Sequence, residues 1–335
     1  MVAQSISKPR SNFRGILPFD PARDLGAVAR LLEESFREDS AIAFSRVPLM
    51  RELGIFMWTL NYIPTFPESI SGFVWAEDGR IVGNLTLTRD EGWSDRYFIS
   101  NVAVKREYRR KGIARHLVRA ALDELRSHSA RWALLNVRPT NLGAIQLYKE
   151  FGFQEIEMRG EWSLTSTQTP WSPSLSSGGR RGDEGDLRPL RWSDHRAVVE
   201  LVRVSTPALV KQFRRQEANP YWLYWEDRLT EIITDFFIGQ KTQRWVIDQN
   251  GKLQALVTIR RRRIFSSHRL EVQVHPDLRG QLEDHLVALA ADELAGFPAR
   301  AIRAAVTSTH PELIAALETH GFKFKKGLTL MALGF

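Results

Sequence analysis

The stretch "VAVKREYRRKGIARHLVRAALDEL", Val102 to Leu125, decides the fold. It opens on an apolar alternation suited to a strand. Three cations follow, Arg109, Arg110 and Lys111, then Gly112 and the small Ala114. From there apolar residues recur at helical spacing (Leu117, Val118, Ala121, Leu122, Leu125). Cations at the start of a helix face its positive end, which is unfavourable unless an anion sits there. Strand, cationic glycine turn and helix together predict an anion-binding turn.

The chain around this stretch has 335 residues, which suggests two domains. It is 43% hydrophobic and 26% charged, the balance of a globular protein. It has no cysteine, so disulfides, thiolate metal sites and cysteine nucleophiles are excluded, and a reducing cytoplasm is compatible. The net charge of +8 favours anionic ligands. "MVAQSISKPRSNFRG" lacks the apolar core of a signal peptide, and "LGIFMWTLNYIPTF" from Leu53 is too short to span a bilayer. The expectation is a cytoplasmic protein with no membrane partner, monomeric or homodimeric.

Residues 165–186, rich in Ser, Thr, Gly and Pro, read as a linker. The two sides of it repeat each other. "FVWAEDGRIVGNLTL" from Phe73 matches "WVIDQNGKLQALVTI" from Trp245, and both read as strand, glycine turn, strand. The stretch from Val102 matches "VQVHPDLRGQLEDHLVALAADEL" from Val272, and "AIQLYKEFGFQEI" from Ala144 matches "LIAALETHGFKFK" from Leu313. Order and spacing agree, which means two copies of one domain, 1–164 and 187–335. In the first copy the pattern predicts a strand at Ile16, a helix from Pro21 with a stripe at Leu25, Val28, Leu31 and Leu32, and a second helical segment at 48–62. Strands at 72–77, 80–88 and 96–104 follow, then a helix at 112–127, a strand at 132–137, a helix at 142–151 and a last strand at 154–164. This alternation is a mixed α/β domain.

These residues resemble the GNAT-type N-acetyltransferase superfamily. Its Arg/Gln-x-x-Gly-x-Gly/Ala signature stands here as Arg109, Gly112 and Ala114, after a strand and opening a helix. A second signature stands in "LNVRPTNLGAIQLYKEFGF" as Asn141, Ala144, Leu147, Tyr148, Gly152 and Phe153. The resemblance covers residues 15–164 closely and 187–335 as a worn second copy. It implies two tandem domains, each a mixed, mostly antiparallel sheet flanked by helices. It also implies acetyl-CoA as co-substrate, with no metal. The diphosphate would lie in the turn, on backbone N–H groups and on Arg109, Arg110, Lys111, Ile113 and Arg115, with Gly112 allowing close approach. The pantetheine arm would run along Val102, Ala103 and Val104 as an added strand, with Asn136 and Asn141 on the neighbouring segment. Asn141 also reads as a helix N-cap.

The reaction the resemblance implies is transfer of an acetyl group to a primary amine, most simply that of a small molecule. A protein N-terminus is the alternative acceptor, and a CoA-binding module without transfer activity the alternative role. A neutral amine attacks the thioester, a backbone N–H near Val104 steadies the oxyanion, and Tyr148 protonates the leaving thiolate. Simple packing is the other reading of Tyr148. Ribosomal-protein N-terminal acetyltransferases often carry "LEVR" where this chain has "LNVR", so Asn136 stands in place of a carboxylate. The histone-type base position falls on Phe98. Glu34, Glu91 and Asp95 are the remaining candidates for a base.

The second copy departs from the signature. Gly112 becomes Gln281, Ala114 becomes Glu283, Asn141 becomes His310 and Tyr148 becomes Leu317. A carboxylate where the diphosphate should lie repels it by ~1–4 kcal/mol per charge pair. The second copy is therefore expected to bind no coenzyme A, or to bind it poorly. Arg260–Arg263 reads as a charged hairpin or protected edge interrupting the strand region rather than a nucleic-acid surface, so no nucleic-acid partner is expected. His268, His275, His285, His310 and His320 lack metal-ligand spacing. Phe56, Trp58, Tyr62 and Phe66, with Trp222, Tyr224 and Trp225 in the second copy, stand where an acceptor pocket or helix core would be.

Overall fold

The computed structural model describes residues 13–35, 70–90, 93–165, 186–213, 240–249, 251–262, 267–295 and 301–335. The aromatic segments around Phe56 and Trp222, the helical segment at 48–62 and Glu91 lie outside them. The chain divides into two compact units. The first comprises Met1–Val137, Asn141–Gln154 and Leu330–Phe335; the second comprises Arg138–Thr140 and Glu155–Thr329.

In the first unit β1 (Gly15–Pro18) leads into α1 (Pro21–Ser35). Asp20 caps that helix. Its Oδ1 accepts from the Ala22 N–H at 3.1 Å, while Asp24 Oδ2 accepts from the Asp20 N–H at 3.1 Å. Val28 and Leu31 of the expected stripe are buried, and Asp24 is buried with them, paired to Arg23. A hairpin joins β2 (Ile70–Glu77) to β3 (Arg80–Arg89) through Asp78 and Gly79, both at positive φ (48° and 77°). Such a turn matches the natural twist of the strands it connects. β4 (Arg96–Val104) pairs antiparallel with β3, and β5 (Trp132–Val137) pairs parallel with β4. α2 (Ile113–Ser127) crosses from β4 to β5 and buries Leu117, Val118, Ala121, Leu122 and Leu125. It lies close over β3, where a Cβ at Gly83 would come within 2.9 Å of Ile113 Cγ2. α3 (Leu142–Glu150) follows β5.

The second unit repeats this order. It contains β7 (Asp186–Pro189), α4 (His195–Ser205), α5 (Ala208–Phe213), β8 (Gln240–Gln249), β9 (Lys252–Arg262) and β10 (His268–Val274). It continues with α6 (Glu283–Ala295), β11 (Ile302–Thr307) and α7 (Pro311–Thr319). Its strands β7 to β10 pair antiparallel in sequence, and β10 pairs parallel with β11. The expected α/β class, with mixed and mostly antiparallel sheets, is what both units show.

The last strand of each copy serves the other unit. β6 (Gln154–Leu164) ends the first copy, yet it pairs antiparallel with β11, from Ile302 opposite Leu164 to Thr307 opposite Arg159. Its Trp162 is buried in the core of β9, β10 and α6. β12 (Lys323–Gly334) ends the second copy, and its terminal part lies beside β5. Met331 is fully buried among Leu117, Leu135, Val137, Tyr148 and Phe153. The Phe335 N–H donates to the Arg131 carbonyl at 3.1 Å. A boundary at residue 164 follows the chain, whereas the compact units exchange their closing strands. Sequence similarity aligns the copies but does not say whose edge a strand will join, because both edges ask for the same apolar alternation.

Arg260–Arg262 take a different place from the one the charge of the run suggests, and Arg263 lies outside the described residues. β9 runs through Arg262 and is flanked by β8 and β10, so it is an interior strand rather than an interrupted or edge one. Arg260 pairs with Glu271 and Arg261 with Glu293, which neutralises these two cations within the unit. Among the described residues no helix is long and apolar enough to cross a membrane.

The exchange predicts where damage is felt. Met331→Ala is expected to destabilise the first unit by about 2–5 kcal/mol, the cost of a large-to-small core change. Hydrogen exchange should then accelerate in Trp132–Val137 and leave Leu270–Val274 protected. Trp162→Ala should do the reverse. Loss confined to each strand's own copy would refute the exchange.

Candidate active site

The site grows from a disagreement between strands. β4 and β5 pair only from Arg96 opposite Trp132 to Ile99 opposite Leu135. Beyond that point β4 continues through Ser100–Val104 without a partner in β5. A shift in register between β3 and β4 falls here, between Asn84 and Thr86, and Asn101 adopts a left-handed φ of 53°. The buried Asn84 amide holds the bulge by donating to the Asn101 carbonyl at 2.9 Å. Val102, Ala103 and Val104 thus border a cleft whose β5 side is open to an extended ligand, the edge pairing expected of a pantetheine arm. Asn84 and Asn101 were not among the expected site residues. Their signal was an asparagine inside each of two apolar strands, "VGNLTL" and "ISNVAV", where it is unusual.

A short 3-10 turn, Arg106–Tyr108, leads from β4 into the cationic turn. Arg110 is left-handed at φ 65°, a strained conformation for a side-chain-bearing residue, and Gly112 caps α2 at φ 77°. Among the described residues, no bond within the chain accepts from the backbone N–H groups of Arg110 through Arg115. They form a row of donors at the positive end of a 15-residue helix. Arg110, Lys111 and Gly112 are exposed, Ala114 is half-buried and Ile113 is buried beneath the turn as an anchor.

The cations divide by role. Lys111 lies over the Tyr108 ring, 4.7 Å from its centre. Arg109 Nε donates to the Val104 carbonyl at 3.0 Å, tying the turn to the strand and occupying one of the backbone groups expected to be free. Arg115, one turn into the helix, pairs with Glu150 of α3. Its charge is therefore shared with a carboxylate rather than held entirely for an anion.

On the other side of the cleft Asn141 caps α3, with its Oδ1 accepting from the Ala144 N–H at 3.2 Å. Asn136 is exposed on β5. Tyr148 is buried, and burial pushes its phenol up to about 12. Its ring meets Phe153 edge-on at 5.8 Å, so it packs as well. Its hydroxyl makes no hydrogen bond among the described residues. Of the candidate bases, Asp95 stands at the far end of β4, ~30 Å along the strand from Val104 at ~3.3 Å per residue. Its backbone carbonyl accepts there from the N–H groups of Arg131 and Trp132, and its carboxylate pairs with Arg131 Nε at 3.8 Å. Phe98 lies in the paired part of β4, and Glu34 is exposed near the end of α1.

The second unit's turn is built otherwise. Glu283, 2% exposed, accepts from the Gly280 N–H at 2.8 Å and from His310 Nε2 at 2.7 Å. Burial opposes its ionisation most strongly. The His310 bond, the backbone donors and the nearby charge together outweigh burial and hold the carboxyl below its usual range. The side-chain donors of Glu283, His310 and Glu312 lie within 4.8 Å of one another, a gathering that the spacing of the histidines did not announce. A group with a depressed folded-state pKa contributes stability above its unfolded value, and that contribution is lost as pH falls through the folded value. Acid titration of the second unit should therefore show a loss of stability below about pH 4.3, the ordinary glutamate value. Glu283→Gln should remove that step, which amide exchange along α6 will report.

Residues 28–153 match the model of the acetyltransferase (GNAT) family. Over 110 residues the chain is 31% identical to the ribosomal protein bS18-alanine N-acetyltransferase of Salmonella typhimurium, covering 30% of this chain and 74% of that one. A GCN5-related N-acetyltransferase from Sphaerobacter thermophilus superposes with a TM-score of 0.56 at 16% identity, covering 95% of each chain. A tandem GNAT protein from the clavulanic acid biosynthesis pathway superposes at 0.51 and 16% identity, covering 96% of this chain and 98% of that one. At such identity these two speak for the fold alone. The family model and the Salmonella relative speak for kinship, and the chain belongs to the acetyltransferase (GNAT) family of acetyl-CoA-dependent acyltransferases.

Proposed function

We propose that the first unit moves the acetyl group of acetyl-CoA to a primary amine of a small molecule, with Tyr148 as general acid. The observation that carries this reading is the row of backbone N–H groups from Arg110 to Arg115 that no acceptor within the described residues meets. The turn suits a diphosphate. Its donors are preorganised, Lys111 and Arg110 add charge, and no side chain of Gly112 projects into the turn. The stretch Val102–Val104, unpaired on its β5 side although Arg109 engages the Val104 carbonyl, suits the arm that carries the thioester.

The residues then have distinct tasks. The amine nitrogen bonds to the thioester carbonyl carbon while the carbon–sulfur bond breaks. A backbone N–H in the open part of β4 steadies the negative oxygen of the tetrahedral intermediate. The departing sulfur takes the Tyr148 proton, and the amine gives up its own proton to solvent. Burial keeps Tyr148 protonated through neutral and mildly alkaline pH, the state a general acid requires.

A protein α-amine is the second reading, and the Salmonella relative favours it, being named for acetylating an alanine of a ribosomal protein. Against it stands Asn136, an amide where related N-terminal acetyltransferases carry a carboxylate. An amide cannot take a proton from the incoming amine. Small primary amines and short peptides with a free amino-terminal alanine, assayed side by side for thiol release, will separate the two acceptors.

Lys111→Glu places a repulsive charge worth ~1–4 kcal/mol at the turn. KM for acetyl-CoA should rise about tenfold or more, with kcat little changed. An unchanged KM would remove the diphosphate reading. Tyr148→Phe should cut kcat by about 10²–10⁴ and leave KM nearly as it was. It should also abolish the tyrosinate absorbance step near pH 12. Full activity in that variant would return Tyr148 to a packing role.

A further inference from the structure

The two units carry the same strand, turn and helix, and comparing them assigns a task to Glu283. Gly280 of the second turn aligns with Arg110 of the first. Both are left-handed, at φ 80° and 65°. In the first unit the donors around this position have no acceptor within the chain. In the second, the Gln281 N–H donates to the Leu278 carbonyl at 3.2 Å and the Gly280 N–H donates to Glu283 Oε2 at 2.8 Å. Glu283 stands where the first copy has Ala114, and its other oxygen meets His310, which stands where the first copy has Asn141. Two departures from the signature therefore touch each other, and between them they fill the turn.

We propose that the Glu283 carboxylate is a built-in anion. It holds, in the second unit, the place that the donor's diphosphate takes in the first, and its removal opens that turn to diphosphate. The inference rests on the diphosphate reading of the first turn. A tethered carboxylate is always present at high effective concentration, so a free diphosphate must displace it as well as overcome its charge. The frame of the turn does not depend on Glu283. Arg279 Nη1 donates to the Thr309 carbonyl at 2.9 Å and Nη2 to the Ser205 carbonyl at 2.7 Å, which clamps the turn from outside. Taking the carboxylate away leaves the Gly280 donor in place and without an acceptor.

The test is calorimetric titration of the full chain with inorganic pyrophosphate. The wild type should bind one equivalent and Glu283→Ala two. The second equivalent should persist when Lys111→Glu weakens the first. A folded Glu283→Ala chain that still binds one equivalent overturns the proposal. A wild type that binds none overturns the reading of the first turn instead. Should the alanine variant fail to fold, Glu283→Gln keeps the volume and discards the charge. Pyrophosphate should then bind the second turn at least tenfold more tightly than in the wild type, and no gain overturns the proposal. Stoichiometric zinc uptake by the wild type that Glu283→Ala loses would make the carboxylate a metal ligand, and likewise overturn it.

Discussion

A backbone N–H that finds no acceptor is costly when buried and useful when left open at a helix start. The first unit keeps a row of such donors from Arg110 to Arg115, and the rest of its site is arranged around them. The Gly83 contact lets α2 lie close on the sheet, which aims the helix start. Ile113 anchors the turn from below, and Arg109 ties it to the end of β4. The bulge held by Asn84 falls where β4 and β5 stop pairing, so that β4 runs on from Ser100 toward the turn without β5 beside it. On the proposed reading, the donor's diphosphate meets the row of N–H groups and its thioester arm the stretch of β4 that β5 does not pair.

The second unit builds the same frame with different groups at its turn. Its core positions are kept, among them Leu286, Leu317 and Phe322, which are buried as Leu117, Tyr148 and Phe153 are in the first. What changed lies at the turn and its neighbours, where polar groups now satisfy each other. Leu317 replaces an unpartnered phenol with an apolar side chain that needs no partner. A fold can be retained by its buried apolar positions while its site closes, because the two depend on different residues.

Much of this was legible in the sequence. The internal repeat and the two signatures placed the turn, the helix at α2, the strand at β5 and the helix at α3 within a residue of where they stand, because glycine turns and helical periodicity are local signals. The pattern in β9 was misleading. A run of four arginines looks like an edge or an interruption until the carboxylates of Glu271 and Glu293 are seen beside two of them, and those carboxylates lie elsewhere in the chain. Asn84 and Asn101 were readable as anomalies but not as partners, since a bulge depends on the register of two strands. Arg115 was counted with the anion-binding cations because Glu150, distant in sequence, was not seen to face it. The trio of Glu283, His310 and Glu312 was hidden for the same reason.

The exchange of closing strands bears on how the protein is made. Domains ordinarily fold one after another as the chain leaves the ribosome, the amino-terminal one first. Here the core around Tyr148 includes Met331, and the bond that fastens Arg131 comes from Phe335. The amino-terminal half therefore emerges with an uncovered sheet edge and waits, through the synthesis of its sister, for Leu330–Phe335 to arrive. During that interval β5 and β6 are exposed strand edges at risk of pairing with another nascent chain. The maturation of the amino-terminal half is thereby timed by the synthesis of the second copy rather than by its own length.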